Sequence, residues 1–428
     1  MRRKSYYIVS LFSGAMGLDI GLKKAGFETR IAVEINKAAV ATIKRNIPEL
    51  PVIQSPIQEV STEELLKKSG LVPEETTVVT GGPCCQSFST AGKRGSLSDP
   101  RGTLFKDFCR VVREARPRFF IMENVKGLLS AAIKHRPLNK RGPGFPPLAP
   151  EEELGSAFKV ILGELALLNY YVIYGLLNAA DYGTPQIRHR VVIIGSREGE
   201  DISIPPSTHS KDGNNGELKW VTLKEALCGV RSKEWVKFSE KTLDFLKLLG
   251  PGQCWTSLPK RLQKKALGAA YFSWGGRKGF YRRLSWDKPS PSLTTAPDGK
   301  ATMLCHPTED RPLSIEEYAR IQQYYPSYSD YIFEGSTRQK YILIGNSVPI
   351  GIGEAVGRML KNTMRKTARK GLPVNASGRK GLVKCGDPIL EERIKKRPKT
   401  QLNPPWLRHD TDPKAVREWL TQVNKSKR

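Results

Sequence analysis

Two adjacent thiols, Cys84 and Cys85, stand on a turn that is rich in glycine and proline. The turn, residues 80–89, directly follows the apolar pair Val78 and Val79. A thiol at the carboxyl end of a strand in an open α/β sheet lies where such folds bind ligands, and a tight turn holds a reactive group rigidly. The pattern therefore predicts a nucleophilic cysteine on the loop that follows a strand.

Other polar side chains follow apolar runs in the same way. Glu123 comes near the end of the run 118–125, so we expect its carboxylate to face the thiol turn. A structural ion pair between Glu123 and an arginine is the alternative interpretation. In the stretch 186–192, alternation puts Arg188 and Arg190 on one strand face, which would place two fixed guanidinium groups beside the site.

A second turn, residues 12–17, follows a predicted strand and opens a helix, as cofactor-binding glycine loops do. Gly14 and Gly17 let the backbone approach a ligand closely. Glu34 lies twenty residues after Gly14 at the end of the next strand, where it can accept hydrogen bonds from ribose hydroxyls. The spacing is not the G-x-G-x-x-G that favours a pyrophosphate, so a nucleoside cofactor such as S-adenosylmethionine fits better than a nicotinamide dinucleotide.

Strand and helix patterns alternate through the first half of the chain, which predicts an α/β domain with a mainly parallel sheet. From about residue 196 to residue 305 the alternation is lost, so we expect a second, smaller domain there. Ser314, with Glu317 three residues later, predicts the start of a helix by a capping box. The predicted strands are 6–12, 29–35, 76–80, 118–125, 171–177 and 191–194, and the predicted helices include 104–115 and 151–168.

The charge balance indicates an anionic partner. The 428 residues contain 70 Lys and Arg against 42 Asp and Glu, for a net charge of +28. No apolar run approaches the ~20 residues that cross a bilayer, and no signal-type segment follows the basic amino terminus, so we expect a cytoplasmic protein without membrane contact.

Seven scattered cysteines without a C-x-x-C pair argue against disulfide and zinc frameworks, and we expect no metal.

Taken in order, these motifs resemble those of the DNA (cytosine-5) methyltransferase family. The resemblance spans residues 7–358 and implies an α/β fold: a Rossmann-like S-adenosylmethionine-dependent methyltransferase domain, a smaller target-recognition domain and a basic C-terminal tail. The implied bounds are 5–197 for the first part of the catalytic domain, 198–304 for target recognition, 305–360 for the return segment and 361–428 for the tail. The matching motifs are 12–17, Glu34, 81–89, 99–104, 123–125, 186–190 and 345–349.

The resemblance also implies a mechanism. Cys85 would add to C6 of a flipped-out cytosine in duplex DNA, so that C5 can take a methyl group from S-adenosylmethionine. Glu123 would hold or protonate N3, and Arg190, supported by Arg188, would bind O2 and offset developing charge. The implied cofactor-binding residues are Phe12, Gly14, Gly17, Glu34, Ile57, Leu104 and Asn346.

Three positions depart from the family pattern. Cys84 stands where the family usually has proline, and Met16 replaces a common glycine of the cofactor loop. Pro56 occupies a position where the family often has an aspartate that reaches the adenine, so adenine recognition would depend more on backbone groups.

Two other functions remain open at this point. One is a tRNA cytosine-5 methyltransferase on the same fold, and the other is a protein that binds DNA without modifying it. Retention of Cys85, Glu123, Arg188 and Arg190 together argues against the second. We expect a monomer that acts on double-stranded DNA; its target sequence cannot be read from the chain, and a companion restriction endonuclease can be inferred only from neighbouring genes.

The two thiols can be separated by substitution. We expect Cys85→Ser to abolish methyl transfer to DNA, because a hydroxyl is a far weaker nucleophile than a thiolate. Cys84→Ser should retain most of the activity, as measured by transfer of a tritiated methyl group. The opposite pattern would assign the reaction to Cys84.

Overall fold

The computed structural model describes residues 5–83, 103–137, 140–142, 144–214, 216–272, 279–325 and 331–395. Cys84 and Cys85 lie outside these residues. The described strands are β1 (Tyr7–Leu11), β2 (Glu28–Val33), β3 (Val52–Ile53), β4 (Val78–Gly81), β5 (Phe119–Val125), β6 (Tyr171–Asn178), β7 (Gln186–Ile187), β8 (His189–Ser196), β9 (His209–Ser210), β10 (Leu218–Lys219), β11 (Ser290–Pro291) and β12 (Val383–Cys385).

The described helices alternate with these strands in the first half of the chain and cluster in the second half. Within the described ranges, no helix combines the length and the apolar character that crossing a bilayer requires. The helices are α1 (Gly17–Lys24), α2 (Lys37–Asn46), α3 (Thr62–Ser69), α4 (Leu104–Ala115), α5 (Ser156–Ala166), α6 (Leu223–Leu227), α7 (Glu240–Leu246), α8 (Lys260–Leu267), α9 (Ile315–Ile321), α10 (Thr337–Asn346), α11 (Ile350–Lys370) and α12 (Pro388–Lys395).

Eight strands form one sheet in the order β12-β6-β8-β5-β4-β1-β2-β3. Strand β8 runs antiparallel to both of its neighbours, β5 and β6, whereas the other pairs are parallel. Leu11 of β1 pairs with Gly81 of β4, which pairs in turn with Met122 of β5, so the carboxyl ends of these strands meet at one edge. The predicted α/β, Rossmann-like class is confirmed, and the loops that carry the candidate site leave the sheet at this edge.

Both faces of the sheet are covered, because successive residues of its central strands point to opposite sides. Phe120 and Met122 contact one core, which includes side chains of α4 and α5, while Phe119 and Ile121 contact another that includes α1 and α11. Helices α1 and α11 approach closely at Gly21, where an added Cβ would stand 2.6 Å from the backbone nitrogen of Glu354. Helix α11 thereby returns the chain to the first domain after the small unit.

The helix predicted over residues 151–168 is shorter than expected. Gly155 has a φ of 90°, so the helix begins only at Ser156, and Pro150–Glu152 form a separate 3-10 turn. Glu152, which was expected to lie at the helix start, instead accepts hydrogen bonds from Arg136 and from the Ala149 nitrogen. The periodicity continued through Gly155, but that residue adopts a backbone conformation that interrupts the helix.

The region predicted as a smaller domain has its own apolar core. Phe245, Leu246, Leu258 and Tyr281 are among the buried side chains of this cluster. We refer to the described parts of residues 198–304 as the small unit. It is attached to the sheet edge through β11, whose Ser290 pairs with Gln186 of β7.

The segment beyond residue 360, expected to be a basic tail, begins as ordered structure. Helix α11 passes the proposed boundary and continues to Lys370. Strand β12 then pairs with β6, and Val383 and Leu390 join the core beneath α5. The basic composition of this segment obscured a strand of three residues, because only alternate side chains of a strand face the core.

Truncation separates the ordered part of this segment from the rest of the tail. A chain that ends at Lys370 loses β12, Val383 and Leu390, which should lower the free energy of unfolding by roughly 3–6 kcal/mol from lost apolar burial. A chain that ends at Lys395 keeps these contacts and should unfold like the full chain. Urea denaturation compares the two; equal stability of both truncations would show that β12 contributes nothing.

Candidate active site

An ion pair between Glu123 and Arg190 lies at the centre of the site. Strands β5 and β8 are antiparallel neighbours, with Glu123 opposite Val192 and Val125 opposite Arg190, so the two charged residues are diagonal across the pair. Nε of Arg190 lies 2.6 Å from Oε1 of Glu123, and both residues are buried. The guanidinium is anchored further by Nη1, which donates to the His189 carbonyl at 2.9 Å. The carboxylate therefore has a fixed position and a fixed cationic partner.

Burial governs the protonation of this pair. Desolvation raises the pKa of Glu123, and the nearby Arg190 and Arg188 guanidinium groups oppose that shift. Desolvation likewise lowers the pKa of Arg190, while the Glu123 carboxylate opposes the change. Glu123 is thus closer to carrying a proton near neutral pH than an exposed glutamate, which suits a group that exchanges a proton with a ligand.

The start of the thiol turn lies against Glu123. A Cβ added at Gly82 would stand 3.0 Å from Oε2 of Glu123, so the carboxylate contacts the backbone there. Nδ2 of Asn124 donates to the Pro83 carbonyl at 3.4 Å, which ties the end of β5 to the last described residue before the thiols. Cys85 itself is outside the described residues, two positions beyond Pro83.

Arg188 lies between β7 and β8, and its environment differs from that of Arg190, although both residues line the same cavity. Its Nη1 donates to the Ser292 hydroxyl and the Leu293 carbonyl, at 3.1 and 2.9 Å. Its Nη2 donates to the carbonyls of Gly345 and Ser347, at 2.6 and 3.3 Å. The guanidinium of Arg188 therefore connects the start of β8 to residues 292–293 and to the carboxyl end of α10, whereas Arg190 is paired with Glu123.

One cavity of about 640 Å³ connects the ion pair with the glycine loop. It opens at the carboxyl edge of β1, β4 and β5, and the turn 80–83 forms part of its wall. The predicted site residues within the described ranges all contribute to its lining: Phe12, Gly14, Gly17, Glu34, Ile57, Leu104, Glu123, Arg188, Arg190 and Asn346.

Glu34 organises the glycine-loop end of this cavity. Its Oε2 accepts a hydrogen bond from the Gly14 nitrogen at 2.7 Å, and its Oε1 accepts one from the Asn36 nitrogen at 2.8 Å. A carboxylate at this position disfavours a phosphate by charge repulsion and favours hydroxyl donors. The cavity therefore suits a nucleoside ligand better than a pyrophosphate.

Met16 occupies a loop position where the family resemblance leads one to expect glycine. Its φ is 63°, in the left-handed region that favours glycine, and its side chain is 1 % exposed. The side chain joins the core that contains Tyr324 and Tyr331, whose hydroxyls both donate to the Ala15 carbonyl, at 2.8 and 3.0 Å. Burial of the methionine and these hydrogen bonds hold the loop in a conformation that costs about 1 kcal/mol or more for such a residue.

Gly17 is required by close packing rather than by its φ. A Cβ at this position would overlap the Ser347 hydroxyl and the Val348 carbonyl oxygen. The return segment 345–349 therefore lies directly on the start of α1, and Asn346 lines the cavity from that side.

The turn after Pro56 is held through its backbone. Arg110 of α4 donates from Nη2 to the carbonyls of Ile57 and Val60, at 2.9 and 3.1 Å. Leu104 begins the same helix and lines the cavity opposite this turn. Arg110 thereby fixes the backbone of this turn, which lines the cavity through Pro56 and Ile57.

Sequence reasoning missed three residues of the cavity wall. Asp19 is buried and accepts hydrogen bonds from Ser10 and Thr29, at 2.9 and 3.1 Å, and burial raises its pKa to about 6. Asn124 fixes the thiol turn, and Ile35 presents an apolar side chain that is 62 % exposed. The position of Ile35, directly after Glu34, could have identified it as a residue of the cavity. Asp19 gives no such indication in the sequence, because an acidic residue in the first turn of a helix is common.

Comparison with known families matches this chain, over residues 6–362, to the family described as C-5 cytosine-specific DNA methylase. Two of the similar proteins are a Type II methyltransferase from Staphylococcus aureus, M.Sau96I, and one from Escherichia coli, M.Eco47II. The first is 34% identical over 359 residues, which cover 84% of this chain and 76% of the relative. The second is 34% identical over 379 residues, which cover 85% of this chain and 81% of the relative.

Solved structures with the same fold include a putative DNA modification methyltransferase encoded within an E. coli prophage. It is 23% identical, has a TM-score of 0.57, and the match covers 84% of this chain and 100% of that one. The Entamoeba histolytica methyltransferase EhMeth gives a TM-score of 0.52 at 16% identity, covering 84% and 99% of the two chains. At these identities the likeness extends to the fold alone.

The close approach at Gly17 gives a direct test of the cavity wall. Gly17→Ala forces the return segment away from α1, and we expect a loss of about 1–3 kcal/mol in the free energy of unfolding, as for other overpacked cores. Gly378→Ala is the matched control, because an added Cβ there meets no atom within 4 Å. Urea denaturation of both variants measures the difference; equal stability would place the return segment farther from the loop.

Proposed function

This chain belongs to the C-5 cytosine-specific DNA methylase family, and we propose on that premise how its site performs the reaction. The chain is a DNA (cytosine-5) methyltransferase, and its Type II relatives fit a role in restriction and modification. The observation that carries the proposed mechanism is the buried Glu123–Arg190 pair, which lines one cavity together with the glycine loop and the start of the thiol turn.

We propose that the glycine-loop end of the cavity holds S-adenosylmethionine. Glu34 would accept hydrogen bonds from its ribose hydroxyls, while Phe12, Ile57 and Leu104 would surround its adenine. The bound cofactor supplies a methyl group made electrophilic by a sulfonium. The absence of a phosphate-type glycine pattern and the carboxylate of Glu34 both support a cofactor without phosphates.

Glu123 is the proposed group for activation of the cytosine ring. Its carboxyl would contact N3 and the exocyclic amine and would carry the proton that N3 gains when a nucleophile adds to C6. The raised pKa of Glu123 supports this role, because burial brings the carboxyl closer to exchanging a proton with the base than an exposed glutamate would be. The ion pair with Arg190 fixes the direction in which the carboxyl points.

The arginines have separate proposed roles. Arg190 would donate to O2 of the base, since its guanidinium is already held beside Glu123. Arg188 would be a positioning residue that holds the protein segments around the base, because both of its terminal nitrogens donate hydrogen bonds to protein atoms of residues 292–293, 345 and 347. This assignment modifies the expectation that Arg188 supports Arg190 at the base itself.

Cys85 is the proposed nucleophile. Its thiolate would form a bond to C6, and the electron pair of the C5–C6 double bond would move so that C5 becomes nucleophilic while N3 takes a proton. After methylation, loss of the C5 proton would re-form the double bond and expel the thiolate. The contacts of Gly82 and Pro83 with Glu123 and Asn124 support this role, since they fix the start of the loop that carries Cys85.

The substrate we propose is a cytosine flipped out of duplex DNA, at a cost of a few kcal/mol in unstacking. The net charge of +28 supports binding to the phosphate backbone. We place target recognition in residues 198–304, the catalytic domain in 5–197 with its return at 305–360, and the tail after it. We propose that the enzyme is monomeric and cytoplasmic.

The DNA and tRNA alternatives are separated by one assay. The full chain is incubated with S-adenosylmethionine that carries a tritiated methyl group and with either duplex DNA or tRNA. We expect label in DNA alone, and bisulfite mapping of DNA from cells that express the chain should then give its target sequence. Label confined to tRNA would contradict the proposed substrate.

Replacement of the Glu123 carboxyl by an amide tests the proposed proton transfer to the base. Glu123→Gln keeps the shape of the side chain but cannot transfer a proton, so kcat should fall by about 10²–10⁴. Glu64→Gln, on the exposed face of α3, removes a carboxylate away from the cavity and should leave kcat unchanged. Thermal unfolding of both variants checks that the loss of rate does not come from loss of fold; full activity of Glu123→Gln would exclude the proton transfer.

A further inference from the structure

Helix α8 of the small unit has an unusual distribution of charge. Lys260, Arg261, Lys264 and Lys265 are all exposed and follow the spacing of one helix face. We call these four residues the α8 basic face. Ala266 and Leu267 are buried in the core of the small unit.

Two of these four charges disfavour the helix that carries them, whereas Lys264 and Lys265 lie in its last turn, where a cation is favourable. Lys260 and Arg261 lie in the first turn, where the positive end of the helix dipole makes a cation unfavourable by about 0.3–1 kcal/mol. The two neighbouring helices show the opposite arrangement, with Glu225 in the first turn of α6 and Glu240 in that of α7. Helix stability therefore does not account for Lys260 and Arg261 of the α8 basic face.

No carboxylate of the described residues forms an ion pair with these four side chains. Lys340 of α10, by contrast, is paired with Glu234 at 2.7 Å. Lys264 is instead oriented by an exposed aromatic ring, with its Nζ 5.2 Å from the centroid of Phe272. Residues 231–282 as a whole contain twelve Lys and Arg against three Asp and Glu. The local field is strongly positive and suits a polyanion.

The small unit lies on the side of the molecule where the site opens. Leu293 donates from its nitrogen to Gln186 at 2.9 Å and accepts from Arg188 through its carbonyl, which fixes this unit to the carboxyl edge of the sheet. Helix α8 is tied to the same unit by Tyr281, whose hydroxyl donates to the Ala266 carbonyl at 3.1 Å. A duplex that presents a base to the cavity would pass next to this unit.

We propose that the α8 basic face binds phosphates of the duplex backbone that flanks the target cytosine. The inference rests on the proposed function, because it takes duplex DNA as the substrate. Four cations on one face neutralise backbone charge without reading bases, so this contact sets affinity and register rather than sequence preference. Lys260 and Lys264 are about 6 Å apart along the helix axis, which lets them contact successive phosphates of one strand.

A matched pair of variants tests the proposal. In one, Lys260, Arg261, Lys264 and Lys265 are all changed to Gln, which keeps a good helix former at each position. In the control, the same change is made at four exposed cations of the C-terminal half of α11: Arg365, Lys366, Arg369 and Lys370. Both variants lose four positive charges. The control residues follow Lys361, whose Nζ donates to the Ala25 carbonyl at the end of α1, so they lie beyond the sheet edge opposite the cavity.

The measurement is the salt dependence of affinity for a fluorescent DNA duplex, by anisotropy between about 50 and 200 mM salt. Each lost phosphate contact reduces the slope of log K against log salt by about 0.9, so we expect the α8 variant to lose about 2–4 units of slope. The α11 control should keep the wild-type slope. At saturating DNA, kcat of the α8 variant should equal that of the wild type.

Every other result contradicts the proposal. Equal slopes for the α8 variant and the wild type, or an equal loss in both variants, would show that α8 has no specific role. If circular dichroism shows that the fourfold variant is unfolded, Lys260→Gln with Lys264→Gln is measured instead, with an expected loss of about 1–2 units. Methyl transfer to DNA by the wild-type enzyme is measured in a separate assay. A wild-type enzyme that transfers no methyl group to DNA would contradict the proposed function, whereas an unchanged salt dependence in the α8 variant would contradict only the α8 contact.

Discussion

The buried ion pair of Glu123 and Arg190 is the constraint around which the site is built. An unpaired charge in this environment would cost several kcal/mol, so each side chain fixes the other. The pair forms because β8 runs antiparallel to β5 and begins where β5 turns into its loop. Burial raises the pKa of Glu123 while the paired Arg190 opposes that shift, so the site balances the two forms of the carboxyl that we propose exchanges a proton with the base.

The second half of the chain completes the site that the first half begins. Arg188, next but one to Arg190, connects β8 to residues 292–293 of the small unit and to residues 345 and 347 of the return segment. Gly17 then allows the return segment to lie on the start of α1, and Asn346 lines the cavity. The elements that we propose for catalysis, cofactor binding and target recognition are thereby held to one sheet edge by buried contacts.

Local patterns predicted much of this arrangement. The apolar runs located the strands, and the bounds of α4 and the cap of α9 at Ser314 agree with the structure. Other features depend on contacts between distant segments: Gly155 interrupts a continuous helical pattern, and β12 is a strand only because β6 offers an open edge. The same limit applies to Arg188 and Arg190, which both line the cavity but have different partners. Sequence spacing predicts on which side of the chain a side chain lies, whereas the group that the side chain contacts is determined by the tertiary structure.

Covalent capture at the thiol turn tests the central claim most directly. A duplex with 5-fluorocytosine at the target position cannot lose its C5 substituent as a proton, so the enzyme should remain bonded to C6 after methylation. The account predicts a stable protein–DNA adduct that forms only with S-adenosylmethionine present, and peptide mass spectrometry should locate it at Cys85. An adduct at Cys84, or none with an enzyme that methylates the unmodified duplex, would contradict the account.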